Sequence, residues 1–191
     1  MKDGLPVLLC GSRDEWEAWL AEQHATSGGV WLKIAKKGSG CESVTYAEAL
    51  EVALCYGWID GQKGALDDAF WLQRFTARGP RSKWSKINCD KAVELIEAGR
   101  MQAAGLAVVE AARGDGRWER AYEGASTISV PADLQEKLDE NPSAAAFFAG
   151  LDSTNRYAVL YRIHDAKKPE TRARRIEKFV AMLARGEKIH P

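Results

Sequence analysis

Cationic and aromatic side chains are interspersed from Gly57 to Asn88, in the run "GWIDGQKGALDDAFWLQRFTARGPRSKWSKIN". Arg guanidinium groups make forked hydrogen bonds to phosphate and carboxylate oxygens, and an exposed indole stacks on planar groups. Ser82 adds a hydroxyl just ahead of a predicted helix, whose N-terminus also favours anions. This run therefore predicts a basic aromatic surface for an anionic ligand, formed by Trp58, Asp60, Lys63, Arg74, Arg78, Arg81, Ser82, Lys83, Trp84 and Lys86.

The same residues also allow a purely structural interpretation. Trp58, Trp71 and Trp84 would then belong to the core, and the Lys and Arg side chains would extend from it into water. A strand over Phe70–Ala77 would place Trp71, Gln73 and Phe75 on one face, with Phe70, Leu72, Arg74 and Thr76 on the other. Neither face is purely polar, so the sequence leaves both interpretations open.

Residues suited to catalysis are sparse. Asp60 in "WIDG" is the one candidate acid or base, but an Asp before Gly between strands is typical of a turn. The three histidines are dispersed, and no Ser or Cys lies in a nucleophile-elbow context. The run "KKGSG" from Lys36 to Gly40 lacks the spacing of a Walker loop, which favours an ordinary loop. The sequence therefore favours a protein without catalysis.

The placement of the cysteines and the charge balance limit which partners and which cellular compartment the sequence predicts. Cys10, Cys41, Cys55 and Cys89 are far apart and form no C-x-x-C pair, so we expect no metal site and no cofactor. Lys plus Arg equal Asp plus Glu at 27 each, so any affinity for nucleic acid must come from a local patch. The apolar run "LPVLLC" is shorter than a secretory h-region, and no later segment has the length of a membrane span. We expect a cytoplasmic protein without stable membrane insertion.

Two capping boxes bracket the first predicted strand. Ser12–Glu15 and Thr45–Glu48 fit S/T-x-x-E and open helices through "EAWLAEQH", which ends near Gly28, and "YAEALEVALCYG". Between them, "VWLKIAKK" alternates with the period of a half-buried strand. Two further strands, "WIDGQKGAL" and "FWLQRFTAR", are predicted to form a hairpin. These elements predict a small antiparallel sheet covered on one face by helices.

Strand signals vanish after Asn88. A helix in "NCDKAVELIEAGR" is predicted to begin at Asn88 and end at Gly99, and helical segments follow as far as "PETRARRIEKFVAMLARGE". The fold class is therefore α+β, with a helical C-terminal half. The predicted boundary separates an α+β part with the basic aromatic hairpin, residues 1–122, from a helical part, residues 123–191, which is also compatible with packing as one domain.

The last predicted helix carries an apolar stripe and a second basic cluster. Ile176, Phe179, Val180 and Leu183 recur at i, i+3, i+4 and i+7. Glu170 and Glu177 lie among its cations, which is typical of a solvated face. The sequence leaves open whether this helix joins the basic aromatic surface. Its cations are Lys167, Lys168, Arg172, Arg174, Arg175 and Lys178.

Several runs together resemble the YdeI/OmpD-associated family, whose name refers to bacteriocin protection. They are "TYAEALEVALCYGWIDGQ", "QRFTARGPRSKWSKIN", "LIEAGRM", "GDGRWERAY" and "TRARRIEKFVAML". The resemblance extends from about Ser12 to Glu187. It implies a role in stress and antimicrobial-peptide tolerance and no catalytic residue.

The residues and the resemblance together favour a non-catalytic cytoplasmic protein of the stress and antimicrobial-protection type. It would bind an anionic small molecule or nucleic acid through the basic aromatic surface. One alternative is an enzyme acting on a phosphorylated or carboxylated small molecule, with Asp60 as acid or base and an anion clamp of Arg74, Arg78 and Arg81. Another is a protein-interaction module whose basic aromatic surface docks an acidic protein partner.

Overall fold

The computed structural model describes residues 1–191 and divides them into two compact units. Unit 1 contains Met1–Trp84 and Asn88–Ala121, and unit 2 contains Ser85–Ile87 and Tyr122–Pro191. Unit 1 holds all the strands, and unit 2 is helical. The fold is α+β, as predicted.

Unit 1 combines four strands with helices that flank them in the chain. The Thr45 side chain accepts from the Glu48 amide and the Glu48 carboxylate accepts from the Thr45 amide, which confirms the predicted capping box. At the other predicted box, the Ser12 hydroxyl accepts from the Glu15 amide, but the Glu15 carboxylate accepts from the Gly11 amide instead of the Ser12 amide, so only half of that box is present. The elements are β1 Val7–Leu8, α1 Arg13–Gln23, β2 Val30–Ala35, α2 Tyr46–Cys55, β3 Trp58–Ala65, β4 Phe70–Ala77, α3 Lys86–Glu97, which belongs to this unit from Asn88 onward, and α4 Ala103–Gly114.

The sheet has the strand order β1-β2-β4-β3. The predicted β3–β4 hairpin is present, and β4 also pairs antiparallel with β2. Strand β1, which was not predicted from the sequence, pairs parallel with β2 over Val7 and Leu8. A strand of two residues is too short to show a periodic pattern in the sequence. Because the other strand pairs are antiparallel, the sheet is antiparallel except at this edge.

One face of the sheet packs against helices. Val30, Leu32 and Ile34 of β2 and Phe75 of β4 belong to the main hydrophobic cluster. The same cluster contains Trp16 and Leu20 of α1 and Ala49 and Val52 of α2. We call this side the helix-covered face. Its burial fixes the register of the strands, because a slip of one residue would turn these side chains to the other side.

The opposite side is the helix-free face, which carries Trp31 and Lys33 of β2 and Phe70, Leu72, Arg74 and Thr76 of β4. Trp31 and Leu72 are buried but belong to neither hydrophobic cluster. The Lys2 ammonium lies 4.5 Å from the centroid of the Trp31 ring. The N-terminal residues therefore cover part of this face.

A β-bulge interrupts β3 between Asp60 and Lys63. The buried Gln73 amide of β4 donates to the carbonyl oxygens of Gly61 and Gln62 at 2.9 and 3.3 Å. This amide satisfies carbonyls that the irregular ladder leaves without a partner. The turn interpretation of Asp60 is wrong, because Asp60 lies within β3 opposite Phe75 and the irregular backbone begins after it.

Two predicted helix ends differ from the structure. Helix α1 ends at Gln23 with His24 as its C-cap, before the predicted Gly28. Helix α3 begins at Lys86 rather than after Asn88 as a cap, and its first amide donates to the Tyr122 carbonyl. A contact distant in sequence therefore fixes this helix start, and no local capping pattern signals it.

Unit 2 consists of helices α5 Ala132–Asp139, α6 Pro142–Ala149, α7 Ser153–His164 and α8 Pro169–Ala184 around their own core. The predicted α8 stripe is confirmed: Ile176, Phe179 and Leu183 are buried and Val180 packs against them. Two cations of the basic cluster are engaged. Arg172 pairs with Asp133 and Arg175 donates to the Arg162 carbonyl. None of the helices in the structure is both long and apolar enough to cross a membrane.

Helix α4 packs closely against the turn that joins α2 to β3. A Cβ on Gly105 would lie 2.2 Å from the Cys55 carbonyl oxygen, and one on Gly57 would lie 2.9 Å from the Ala104 oxygen. Gly57 also has a positive φ of 73°, which ends α2 at the predicted place. The two glycines allow backbone to meet backbone at this crossing.

We predict that Gly105→Ala lowers the free energy of unfolding by about 1–3 kcal/mol, because the added methyl group meets backbone that cannot move aside. Gly114→Ala, at the end of the same helix, is the matched control, because nothing lies within 4 Å of its added Cβ. The control should leave stability unchanged or raise it by up to about 1 kcal/mol, as expected for Gly to Ala in a helix. Urea unfolding measures both, and equal effects would contradict the close packing.

Candidate functional site

Three of the ten residues predicted to bind a ligand lie in the core of unit 1. Trp58 is 1% exposed and donates from Nε1 to the His24 carbonyl at 3.1 Å. Trp84 is 2% exposed and Arg78 is 9% exposed. Trp58 and Trp84 therefore lie in the core, as the structural interpretation of the sequence expected.

Arg78 is held by an aromatic stack. Its guanidinium carbon lies 3.7 Å from the Trp84 ring centroid, and Nη1 donates to the Lys83 carbonyl at 3.1 Å. Trp84 packs on Trp118 at 5.0 Å, and Arg113 lies 4.9 Å from the Trp118 ring. Cation–π contacts gain strength where water is excluded. This arrangement orders the chain that leaves β4.

The segment that follows β4 is a tight turn. Ser82 accepts from the Gly79 amide at 3.0 Å, and its carbonyl accepts from Arg117 at 3.2 Å. Arg81 and Lys83 are exposed. Lys86 pairs with Glu123 at 2.7 Å within unit 2. Ser82 thus has a local structural role, and the Lys86 charge is already paired.

Asp60 and Lys63 lie together beside two aromatic rings. Tyr46 of α2 donates its hydroxyl to Asp60 Oδ2 at 2.8 Å. The Lys63 ammonium lies 4.9 Å from the Trp71 ring centroid and 5.6 Å from that of Tyr46. Tyr46 and Trp71 contact each other with centroids 6.0 Å apart. The four side chains form one cluster on the helix-covered side of β3 and β4.

Tyr46 and Trp71 also line an open pocket of about 940 Å³. Its other walls are the first turn of α1, the end of β2 and the loop from Lys36 to Thr45. Sequence reasoning missed this pocket, because the "KKGSG" run was interpreted as an ordinary loop. The available signal was the position of that run between two capping boxes, which brings two helix starts to one place.

The charged side chains of the pocket differ in how they are engaged. Arg13, Lys36 and Lys37 line it and make no ion pair. Of the lining carboxylates, Glu48 accepts two bonds at Oε2, from the amide and the hydroxyl of Thr45, and its own amide donates to the Thr45 hydroxyl in the capping box. The hydrogen bond from the Thr45 side chain, followed by that from its backbone, lowers the pKa of Glu48. Asp14 and Glu42 also line the pocket.

Cys41 is the exposed cysteine of the chain and lies in this pocket. The other three are buried, and burial is the main cause that raises the pKa of Cys10, Cys55 and Cys89 to about 11 in each case. A thiol with a raised pKa reacts slowly, because the thiolate is the nucleophile. Cys41 is therefore a natural reporter of events in the pocket.

The fold and the pocket define a two-unit α+β protein with a candidate small-molecule site in the unit that contains the sheet. A family model described as "Domain of unknown function (DUF8412)" matches residues 8–108. This is more than half of the 191 residues, and the chain belongs to that family.

A second family model, described as "Bacteriocin-protection, YdeI or OmpD-Associated", matches residues 127–186. This match confirms the resemblance noted in the sequence, through the part that includes "TRARRIEKFVAML". Its extent is narrower than expected, because the run "QRFTARGPRSKWSKIN" lies within the range of the first family. No curated protein and no solved structure matches the chain.

We predict that Arg78→Met lowers the free energy of unfolding by about 2 kcal/mol, because it removes a charged hydrogen bond and a desolvated cation–π contact while keeping most of the stem. Arg81→Met is the control, because Arg81 is exposed in the same segment. The control should stay within about 0.5 kcal/mol of the parent. Urea unfolding followed by tryptophan fluorescence reports both, and a neutral Arg78→Met would show that the stack is not needed.

Proposed function

We propose that the pocket of unit 1 binds a small anionic ligand without catalysing its conversion. The observation that carries this proposal is the presence of three cations without ion-pair partners, Arg13, Lys36 and Lys37, in one pocket with Tyr46 and Trp71. Long cationic side chains that are not paired internally are available to pair with a ligand. Carboxylate and phosphate groups are the anions that such side chains bind.

The backbone adds to the field of the cations. The first turns of α1 and α2 both contribute lining residues, and a helix N-terminus carries a partial positive charge. Glu48 is oriented toward its own helix start, because its Oε2 accepts from the amide and the hydroxyl of Thr45. Asp14, Glu42 and Glu48 together balance the charge of the three lining cations, so the pocket favours a ligand of low net charge over a polyanion.

The aromatic cluster supplies a rigid apolar wall. Trp71 is half-buried, and its ring contacts Tyr46 and the ammonium of Lys63. Tyr46 is fixed by its bond to Asp60. A ligand with a planar part can pack against such a wall at small entropic cost, because neither ring has to be ordered on binding.

Anion binding by the pocket can be combined with the bacteriocin protection for which the second family is named. We propose a non-catalytic cytoplasmic protein of the stress and antimicrobial-protection type, in which unit 1 recognises an anionic compound. The family named for bacteriocin protection matches within unit 2, and the pocket lies in unit 1, which would join recognition to protection in one chain.

A thermal-shift series tests the pocket. Acetate, inorganic phosphate, phenyl phosphate and nucleoside monophosphates are the probes. At a concentration about 100-fold above Kd, a bound probe should raise Tm by about 5–10 °C. The double variant Lys36→Gln/Lys37→Gln should abolish the shift. As a second readout, the bound probe should slow the reaction of Cys41 with a thiol reagent.

The matched control is Arg174→Gln/Lys178→Gln, which removes two exposed cations from α8 in unit 2. This variant should keep the full shift. A shift that survives in Lys36→Gln/Lys37→Gln, or that is lost equally in the control, would place anion binding outside the pocket and overturn the proposal.

A second candidate function is proton transfer by Asp60, favoured by its bond to Tyr46 beside the pocket. Asp60→Asn would keep the shape and remove the base. If Asp60 is catalytic, this variant should lower turnover of a phosphorylated or carboxylated substrate by about 100-fold or more and leave the thermal shift intact. Tyr46→Phe is the companion variant, which removes the hydrogen bond alone. Unchanged turnover in Asp60→Asn would exclude this role.

A further inference from the structure

The helix-free face of the sheet concentrates positive charge. Lys33 of β2 and Arg74 of β4 lie on it, and Lys2 reaches it from the N-terminal segment. None of the three makes an ion pair. Lys33 pairs with Leu72 and Trp31 with Arg74, so Lys33 and Arg74 are diagonal neighbours, about 7–8 Å apart.

Carboxylates lie only at the margins of this face. Asp60 is the single carboxylate in the four strands, and it accepts from Tyr46 on the helix-covered side. Asp3 lies in the N-terminal turn, and Asp67 and Asp68 lie between β3 and β4. Asp67 accepts from the amides of Ala69 and Phe70. The centre of the face is therefore positive in a chain whose net charge is zero.

Two hydrogen-bond donors on this face lack an acceptor. Trp31 Nε1 and Arg74 Nε are both buried and have no partner within the protein. The residues that carry them are directly opposed in the ladder between β2 and β4. Trp31 itself is 2% exposed. Both donors can reach an oxygen from outside the chain only after the side chains that cover them move aside.

Aromatic rings lie beside the cations. The Lys2 ammonium is 4.5 Å from the Trp31 centroid, and the Lys33 ammonium is 5.8 Å from that of Phe70. Phe70 is half-buried. Lys2 contributes a long, flexible side chain over the indole, which an anion can draw aside.

We propose that the helix-free face binds single-stranded nucleic acid. Phosphate oxygens pair with Lys2, Lys33 and Arg74, a base stacks on Phe70, and movement of Lys2 toward a phosphate would uncover the indole of Trp31. A partly exposed aromatic ring beside cations on a sheet face without helices suits unpaired nucleotides, because every base offers a planar face and every phosphate a charge. An acidic protein segment would meet the cations but would leave the ring without a planar partner. This site is independent of the pocket, which lies on the other side of the sheet.

Fluorescence polarisation of a labelled oligothymidylate, titrated at several salt concentrations, tests the proposal with the full chain. With three cations at phosphates, log Kobs should fall against log salt with a slope of about −2. Arg74→Gln and Lys33→Gln should each reduce the magnitude of that slope by about 0.7. Phe70→Leu should weaken binding about fivefold or more and leave the slope unchanged, because it removes stacking without charge.

The matched control is Lys63→Gln, which removes one exposed cation from the helix-covered side of the same sheet. It should leave both affinity and slope unchanged. A slope reduced in Lys63→Gln or Lys36→Gln/Lys37→Gln, and unchanged in Arg74→Gln, would place the oligonucleotide at the pocket and overturn the inference. Equal displacement by poly-glutamate and by unlabelled oligothymidylate would also overturn it, because it would show a site for any polyanion. Circular dichroism confirms that each variant remains folded.

Discussion

The packing of one face of β2 and β4 against helices determines which side chains of the basic aromatic stretch can meet a ligand. Once Phe75 and its neighbours on β2 are buried, strand geometry turns Arg74 to the opposite side. Lys63 and Asp60 then lie with Tyr46, while Arg78 continues into a buried stack with Trp84. A stretch that is uniform in composition is thus divided among three environments by a single register.

The elements of the fold were largely accessible from the sequence, because their signals are local. Capping at Thr45, the alternation of Val30, Leu32 and Ile34, and the stripe on α8 each follow from residues within one or two turns of each other. The signals that failed depend on distant partners. Strand β1 forms by pairing with β2, and α3 begins at Lys86 because the Tyr122 carbonyl accepts from the Lys86 amide.

The candidate site shows the same division. The chemistry of the cations and aromatic rings could be recognised from the sequence, but their grouping could not. Arg78 and Arg81 are three residues apart, yet one is buried on an indole and the other is exposed. Lys36 and Trp71 are far apart in sequence, yet both line one pocket. Which cations meet which rings is decided by strand pairing and helix placement, and neither is encoded in composition or spacing.

The irregular stretch of β3 has a consequence for how the molecule behaves in a crowded solution. This strand is one of the two outer strands of the sheet, and an outer strand with regular unpaired amides can pair with another chain. The Gln73 amide holds Gly61 and Gln62 out of the regular ladder, and Lys63 places a charge beside them. A second sheet therefore finds no continuous row of donors and acceptors to extend. One buried glutamine thus makes this edge of the sheet a poor template for pairing with another chain.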